Sequence, residues 1–514
     1  MAVFVPFSAH AGPVDPPLAQ TQTPGEPAAD IAVEDADPTT PVTTFGDAIQ
    51  RSYRLQPALL AERAKARSVD YLLPQARAQY GPRIDFQATY GYQRDNIEVA
   101  PGTFRSRSGW SSTASAILTQ PLYTFGRNAA ATRTAAAQIS FERAVLRSTE
   151  AQVLFDATSA YVSVIRDRAG IAIARDNLSL LERELSDNRA RFAVHAATAT
   201  DVDQVETRVG VARAQLLSAQ RAIETSEAEF VHMVGALPGN LSQPNPLRLP
   251  TESLEEAYAF ADLHNPVIEA ANARERNSRA QWDAARADLL PRVDLRGRAD
   301  FGSATPYSDS LRQTGLRGEV VISGPLFDSG LRRARVAEAK EANDADWRLV
   351  DQAGRDTRND LAASWSEWQT LQASTVSLEH AVASAQSAYD GALVQERAGF
   401  RTTLEVLDLA RELLSARTSL NAATSGAYIA QARILRVMGV MEQEYLFPDL
   451  PANDPETHFD RAKHSGDVPL VTPALRAVDG VFLSSPANRP NRDRSATMHA
   501  IAAQASPAPS QKYR

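Results

Sequence analysis

The sequence contains no cysteine. Disulfides and thiolate metal sites are therefore excluded, and no thiol is present to carry a lipid anchor. No run of eighteen apolar residues occurs, so no segment reads as a membrane-spanning helix. A chain with these absences is either soluble or enters lipid as a β-barrel, because only helices and closed barrels satisfy their backbone there. The eight histidines are scattered without metal-ligand spacing. No nucleophile motif stands out among the serines and threonines, so neither a cofactor nor a catalytic centre is expected. A basic excess is missing too: the formal charge of −8 argues against nucleic acid as a partner. The hydrophobic content of 43% is ample for folding.

Proline marks the organisation. Eight of the 30 prolines fall in the first 41 residues and another eight after Leu450. Both ends are also rich in Ala, Ser and Asp, and read as disordered segments, 1–42 and 448–514. Within the first, Ala2 to Phe7 is a short apolar run and Ala9-His10-Ala11 looks like a signal-peptidase site; without a basic leader, the expectation is a secretory signal truncated at its start.

No proline lies between Pro121 and Pro238, or between Pro325 and Pro448. Both stretches are rich in Ala, Leu, Arg, Glu and Gln, the strong helix formers. Leu154, Tyr161 and Ile165, then Leu178, Leu181, Leu185 and Phe192, recur at helical spacing. The helix expected from Arg127 to Val194 would be on the order of 100 Å long. Globular domains seldom use such a helix; fibres and tunnels do.

Strand patterns precede each long helix, at about 83–93, 110–119, 292–301 and 315–323. Ile84, Phe86, Ala88, Tyr90 and Tyr92 alternate with polar residues, as do Val293, Leu295, Gly297, Ala299 and Phe301. Runs of about ten residues suit tilted membrane strands. Arg94 to Gly109 and Gly302 to Thr314 read as exposed loops. Phe86, Tyr90, Tyr92, Trp110 and Phe301 are candidates for an aromatic belt at a membrane interface, or for ordinary sheet packing.

The chain repeats itself. Gln56-Pro57 matches Asn265-Pro266, and Pro82-Arg83-Ile84-Asp85-Phe86 matches Pro291-Arg292-Val293-Asp294-Leu295, both at an offset of 209. Pro121-Leu122 with Gly126 matches Pro325-Leu326 with Gly330, and Asp201-Val202 matches Glu405-Val406, at 204. The single change in offset falls between the paired strands, where a loop can absorb it. The first repeat is thus 43–240, the linker 241–250 and the second repeat 251–447. The fold class is mainly α with a β-barrel part. Each unit is a strand hairpin followed by a long antiparallel helix pair, turning near 195–199 and 397–401.

Four membrane strands cannot close a barrel, since the small ones need about eight. Strands of several chains must join: three chains give twelve and two give eight, and three leave the wider bore.

Leu118-Thr119-Gln120-Pro121-Leu122-Tyr123, Gly126-Arg127 and Gly324-Pro325-Leu326-Phe327-Asp328-Ser329-Gly330 are the most telling motifs. They stand with Arg191-Phe192-Ala193-Val194 and Thr200-Asp201-Val202 in the first turn, and Gly399-Phe400-Arg401-Thr402 and Glu405-Val406-Leu407-Asp408 in the second. Together, over about residues 43–440, the sequence resembles the TolC-type outer-membrane efflux proteins. That resemblance implies a homotrimer with a twelve-stranded barrel in outer-membrane lipid and a helical tunnel across the periplasm. It also implies docking to a periplasmic adaptor protein and an inner-membrane ABC or proton-driven transporter, in drug efflux or type I protein secretion. A periplasmic coiled-coil adaptor or structural scaffold is the alternative, disfavoured because no lipoyl-like or barrel module is found.

Glu405 and Asp408 sit three apart at a helix start and so share one face. The resemblance places acidic constriction residues at both positions, giving a gate; the plainer reading is two acids favoured by the helix dipole. Arg401, Thr200 and Asp201 match the family's latch, which holds the tunnel shut. The alternative there is a turn capped by Thr200 with a solvated Arg401. Glu396 stands where the family has a tyrosine and His195 where it has a glycine, which breaks the full latch pattern.

Overall fold

The computed structural model describes residues 40–448, 454–465 and 471–479. The signal-like segment proposed at the N-terminus and most of the final stretch lie outside them.

The helices α1 (Phe45–Leu55), α2 (Pro57–Asp70) and α3 (Leu72–Ala78) lead into β1 (Arg83–Ala100) and β2 (Thr103–Tyr123). Then come α4 (Arg127–Ala193) and α5 (Ala199–Val234). The order repeats with α6 (Leu254–His264), α7 (Pro266–Ala287), β3 (Arg292–Thr305), β4 (Ser308–Ser323), α8 (Leu331–Arg397) and α9 (Thr403–Met438). The short helices α10 (Gln443–Leu446), α11 (Pro455–Ala462) and α12 (Val471–Asp479) follow.

The duplication is exact in length where it matters. Both α4 and α8 have 67 residues, and both α5 and α9 have 36. The same local chemistry sets their ends. Each long helix follows two residues at positive φ, Phe125-Gly126 and Ser329-Gly330. Each return helix opens with a capping box, Thr198 with Asp201 and Thr402 with Glu405, and closes on a left-handed glycine, Gly235 or Gly439. Gly170 is absorbed inside α4 without a break.

The four strands form one antiparallel sheet in the order β1-β2-β3-β4. The strands run to 18, 21, 14 and 16 residues, longer than the ten-residue runs of the sequence pattern. Arg94–Gly109 and Gly302–Thr314, expected as loops, are largely strand, closed by turns at 101–102 and 306–307. The apolar alternation stops there, whereas the backbone ladder continues, since its hydrogen bonds do not depend on side-chain polarity. Register puts Ile84, Phe86, Tyr90 and Tyr92 on the same face as Leu118, Ala116, Trp110, Phe301, Leu295 and Leu316; most of these apolar side chains are exposed in the single chain, Leu316 at 89%, while Ala116 and Leu118 are half-buried. Arg83, Asp85, Arg296, Arg298, Arg317 and Glu319 occupy the other face.

The main core lies midway along the helices. Tyr53, Leu59, Leu154, Leu361, Trp365, Leu435, Met438 and Met441 bring both repeats together there. Arg147 of α4 crosses between them, pairing with Glu269 at 2.7 Å and Glu442 at 2.6 Å. The tail expected to be disordered contributes to this belt: α11 docks on α2 through His458 to Asp70 at 2.7 Å, and Arg143 lies over Phe459. An aromatic ring and a charge pair supply what the Pro/Ala/Ser composition obscures.

Candidate functional site

The ends of the helix pairs farthest from the sheet hold the gate and latch candidates, Glu405, Asp408, Arg401, Thr200 and Asp201; the aromatic-belt candidates lie on the sheet. Two apolar clusters join the hairpins there. Leu181, Leu185, Val205 and Val209 of the first pair pack with Leu407 of the second, and Tyr389, Ala392, Val406, Ala410 and Leu413 pack with Leu180. A cleft of about 490 Å³ opens between α4, α8 and α9, edged by Arg183, Tyr389, Asp390 and Arg417.

The turns differ at one backbone position. Gly399 takes φ +78°, and the corresponding left-handed place in the first turn is held by His195 at φ +61°. A side chain there costs about 1 kcal/mol more than glycine.

Glu405 is exposed, and its carboxylate accepts the Thr402 backbone N–H at 3.2 Å. The helix-terminal reading of this acid is therefore realised. Asp408 is half-exposed and lies 3.3 Å from Arg208 of α5 and 3.5 Å from Arg411 of its own helix. The two acids thus stand at one helix start, as their spacing requires, but Asp408 is partly compensated by cations.

Thr198, rather than Thr200, caps α5. Its hydroxyl accepts the Asp201 N–H at 3.2 Å, and the Asp201 carboxylate accepts from the Thr198 hydroxyl at 2.7 Å and N–H at 3.0 Å. These bonds hold Asp201 below the usual carboxylate range. Thr200 and Arg401 are exposed, and within the described residues of one chain Arg401 makes no bond to either Thr200 or Asp201.

A different pair joins the hairpins. Arg191, in the last turn of α4, binds Glu396, in the last turn of α8, through two nitrogens, the second at 3.1 Å. The Glu396 side chain is 2% exposed. The Thr403 hydroxyl, at the start of α9, lies 3.2 Å from Glu396 and 3.3 Å from the buried Asn188 amide oxygen. Glu184 is buried one turn away; burial, followed by the charges of Glu396 and Asp187, pushes its carboxyl up. Sequence reasoning flagged Glu396 only as a departure and did not select Arg191 or Asn188 for this site. The signal was present: Glu184, Asn188 and Arg191 continue the stripe of Leu181 and Leu185 at helical spacing, putting polar groups where a core should be.

The outer membrane efflux protein model matches residues 48–236 and 258–440. The chain belongs to that family. The two matched segments coincide with the two repeats. Outer membrane efflux protein BepC of Brucella suis is 28% identical over 82% of this chain and 90% of its own. Alkaline protease secretion protein AprF of Pseudomonas aeruginosa is 25% identical over 71% of this chain and 78% of its own. Among solved structures, the outer membrane protein VceC of Vibrio cholerae superposes with a TM-score of 0.68 at 19% identity, over 77% of this chain and 96% of that one. As an outer membrane efflux protein, the chain is a channel component of the outer membrane that extends into the periplasm, and its family is one of channels rather than enzymes. The sheet is the membrane end and the helix turns are the periplasmic end. No helix among the described residues is long and apolar enough to cross a membrane.

Proposed function

We propose that this chain is one of three identical subunits of a passive exit duct, twelve strands forming the barrel and the helices a periplasmic tunnel. The observation that carries the reading is the four-stranded sheet itself: β1 and β4 are outer strands, and one face carries a band of exposed apolar side chains. Open edges in lipid leave backbone groups unsatisfied, so neighbouring copies supply the missing pairing. Phe86, Tyr90, Tyr92, Trp110 and Phe301 then form the aromatic belt; Tyr90 and Trp110 already stack at 5.1 Å on the apolar face.

The duct works by steric and electrostatic control, without covalent chemistry. Three copies bring Glu405 and Asp408 to the periplasmic mouth as two acidic rings. Arg191–Glu396 fastens the two hairpins within each subunit, and Arg401 is left to reach Thr200 or Asp201 of a neighbouring subunit. A periplasmic adaptor and an inner-membrane ABC or proton-driven transporter complete the assembly, and the pump selects the cargo. The names of the relatives include both efflux and protease secretion, so both cargo classes suit the duct.

Outer-membrane extracts should contain a heat-sensitive trimer; a soluble monomer overturns the duct in favour of a scaffold. Photo-crosslinkers at Ala197 and Gly399 should capture an adaptor, and capture of none overturns docking at this end.

A further inference from the structure

Among the described residues, one buried carboxylate near the helix turns has no partner. Arg191 directs two nitrogens at Glu396. Glu184, seven residues earlier on α4, is 5% exposed, and its carboxylate makes no hydrogen bond or ion pair with any described residue. A buried acid of this kind costs free energy unless something supplies it with a donor.

Glu184 lines the cleft of about 490 Å³ between α4, α8 and α9, a size that suits a small organic molecule. Tyr389 of α8 lines the same cleft and is equally buried, and its hydroxyl is likewise without a partner among the described residues. Burial, followed by the charge of Glu184, pushes that hydroxyl up to about 12, so it stays neutral. Leu180, Leu393 and Leu413, one from each helix, give the cleft an apolar wall.

The charges select the sign of a ligand. Asp176, Glu184, Asp187 and Asp390 line the cleft against Arg183, Arg397 and Arg417. Arg417 donates to the Gln386 amide oxygen at 2.6 Å, and Arg183 to the Ser179 carbonyl at 3.2 Å. Arg397 is exposed. The buried part of the cleft thus offers a carboxylate and a hydroxyl oxygen, both acceptors, and no buried guanidinium. Among the described residues no three His, Asp or Glu side chains are grouped as metal ligands would be. The fit is to N–H donors on an apolar body.

We propose that this cleft binds an organic cation of the arylalkylamine class: its ammonium donates to the Glu184 carboxylate and the Tyr389 hydroxyl, and its ring lies against Leu180, Leu393 and Leu413. Glu184 and Tyr389 each stand seven residues, about two turns, before Arg191 and Glu396. A ligand held by both therefore bridges α4 and α8 and acts as a second fastening between the hairpins. The site lies within one chain; only its effect on conductance rests on the duct proposed above.

The probe is 1-naphthylmethylamine, with 1-naphthylmethanol and 1-naphthoate as its neutral and anionic counterparts. Each is titrated by calorimetry into the full-length protein held in amphipol. The amine should bind saturably, one per chain. Glu184→Gln keeps the shape of the buried side chain and should weaken the amine about tenfold, the loss of one charge-assisted bond; Tyr389→Phe should weaken it about threefold. Leu393→Trp fills the cleft from its apolar wall and should abolish binding. The alcohol should bind at least about tenfold more weakly than the amine. Equal amine affinity in the parent and Glu184→Gln overturns the site. Tighter binding of the naphthoate than of the amine also overturns it, because the polar contact then belongs to the arginines. In planar bilayers the amine should lower the resting conductance of Glu396→Gln, and should lose that effect when Glu184→Gln is added. Saturable binding that leaves this conductance unchanged overturns the bridge. If the parent forms no channel, the duct fails, and the calorimetric contrast between parent and Glu184→Gln still decides the site.

Discussion

The Arg191 guanidinium, at the end of one 67-residue helix, grips the Glu396 carboxylate at the end of the other. The carboxylate is buried and the cation about one-third exposed. This is a fastening between the two hairpins of one chain, at the helix ends farthest from the sheet.

Glu396→Gln keeps the shape and removes the charge, leaving Arg191 without its counter-ion. The partial exposure of Arg191 moderates the penalty to about 2 kcal/mol, below that of a fully buried orphan. We expect a higher resting conductance in planar bilayers and a lower thermal midpoint. An unchanged conductance with a lowered midpoint would make the pair structural only.

Glu405→Gln with Asp408→Asn removes both proposed acidic rings. Divalent-cation block of the single channel should be abolished or nearly so. Asp408→Asn alone should have the smaller effect, since Arg208 and Arg411 already offset that acid. Persistence of cation block in the double variant removes these residues from the gate.

Glu150 lies in the α4 belt, where its carboxylate accepts the Gln443 N–H at 3.3 Å. Burial, reinforced by Glu442 and opposed by Arg63 and Arg147, pushes its carboxyl up to about 7. A carboxyl raised above its unfolded value favours the folded state while protonated. Its contribution is therefore full at acidic pH and is lost as pH rises through about 7. Glu150→Gln should raise the thermal midpoint at pH 8 more than at pH 5 and flatten the profile between them. Parallel wild-type and variant profiles would contradict this.

The α11 dock predicts a protease-resistant tail. Glu456→Ala with Phe459→Ala removes the Arg143 partner and the ring beneath it. Each contact is worth about 1 kcal/mol or less. Limited proteolysis should clip the variant after Pro448 well before the parent, with the proposed trimer otherwise intact.

Much of this was legible beforehand because the governing forces are local. Thr402 and Glu405 three apart announce a capping box, and Ile84, Phe86, Tyr90 and Tyr92 announce one face of a strand. The offset change between the hairpins located the length difference, yet it appears as extra ladder: β1 has 18 residues and β3 has 14. Thr200 was misplaced by two residues as a cap because Thr198, Thr200 and Asp201 offer competing geometries that only φ and ψ separate. The contact that joins the two hairpins within one chain is Arg191 with the buried Glu396, a pair that no local pattern singled out.

The sequence by itself determined the two equal units, the lengths of their helices, the apolar and polar faces of their strands, and the acids at each return turn. Those properties come from periodicity and from contacts within a few residues. The tertiary structure decided which residues meet across the repeats: Arg191 with Glu396, Arg147 with Glu442, and Tyr307 with Asp95. Such partners stand some two hundred or more residues apart. Their meeting depends on how one hairpin is rotated and tilted against the other, and no local pattern encodes that angle.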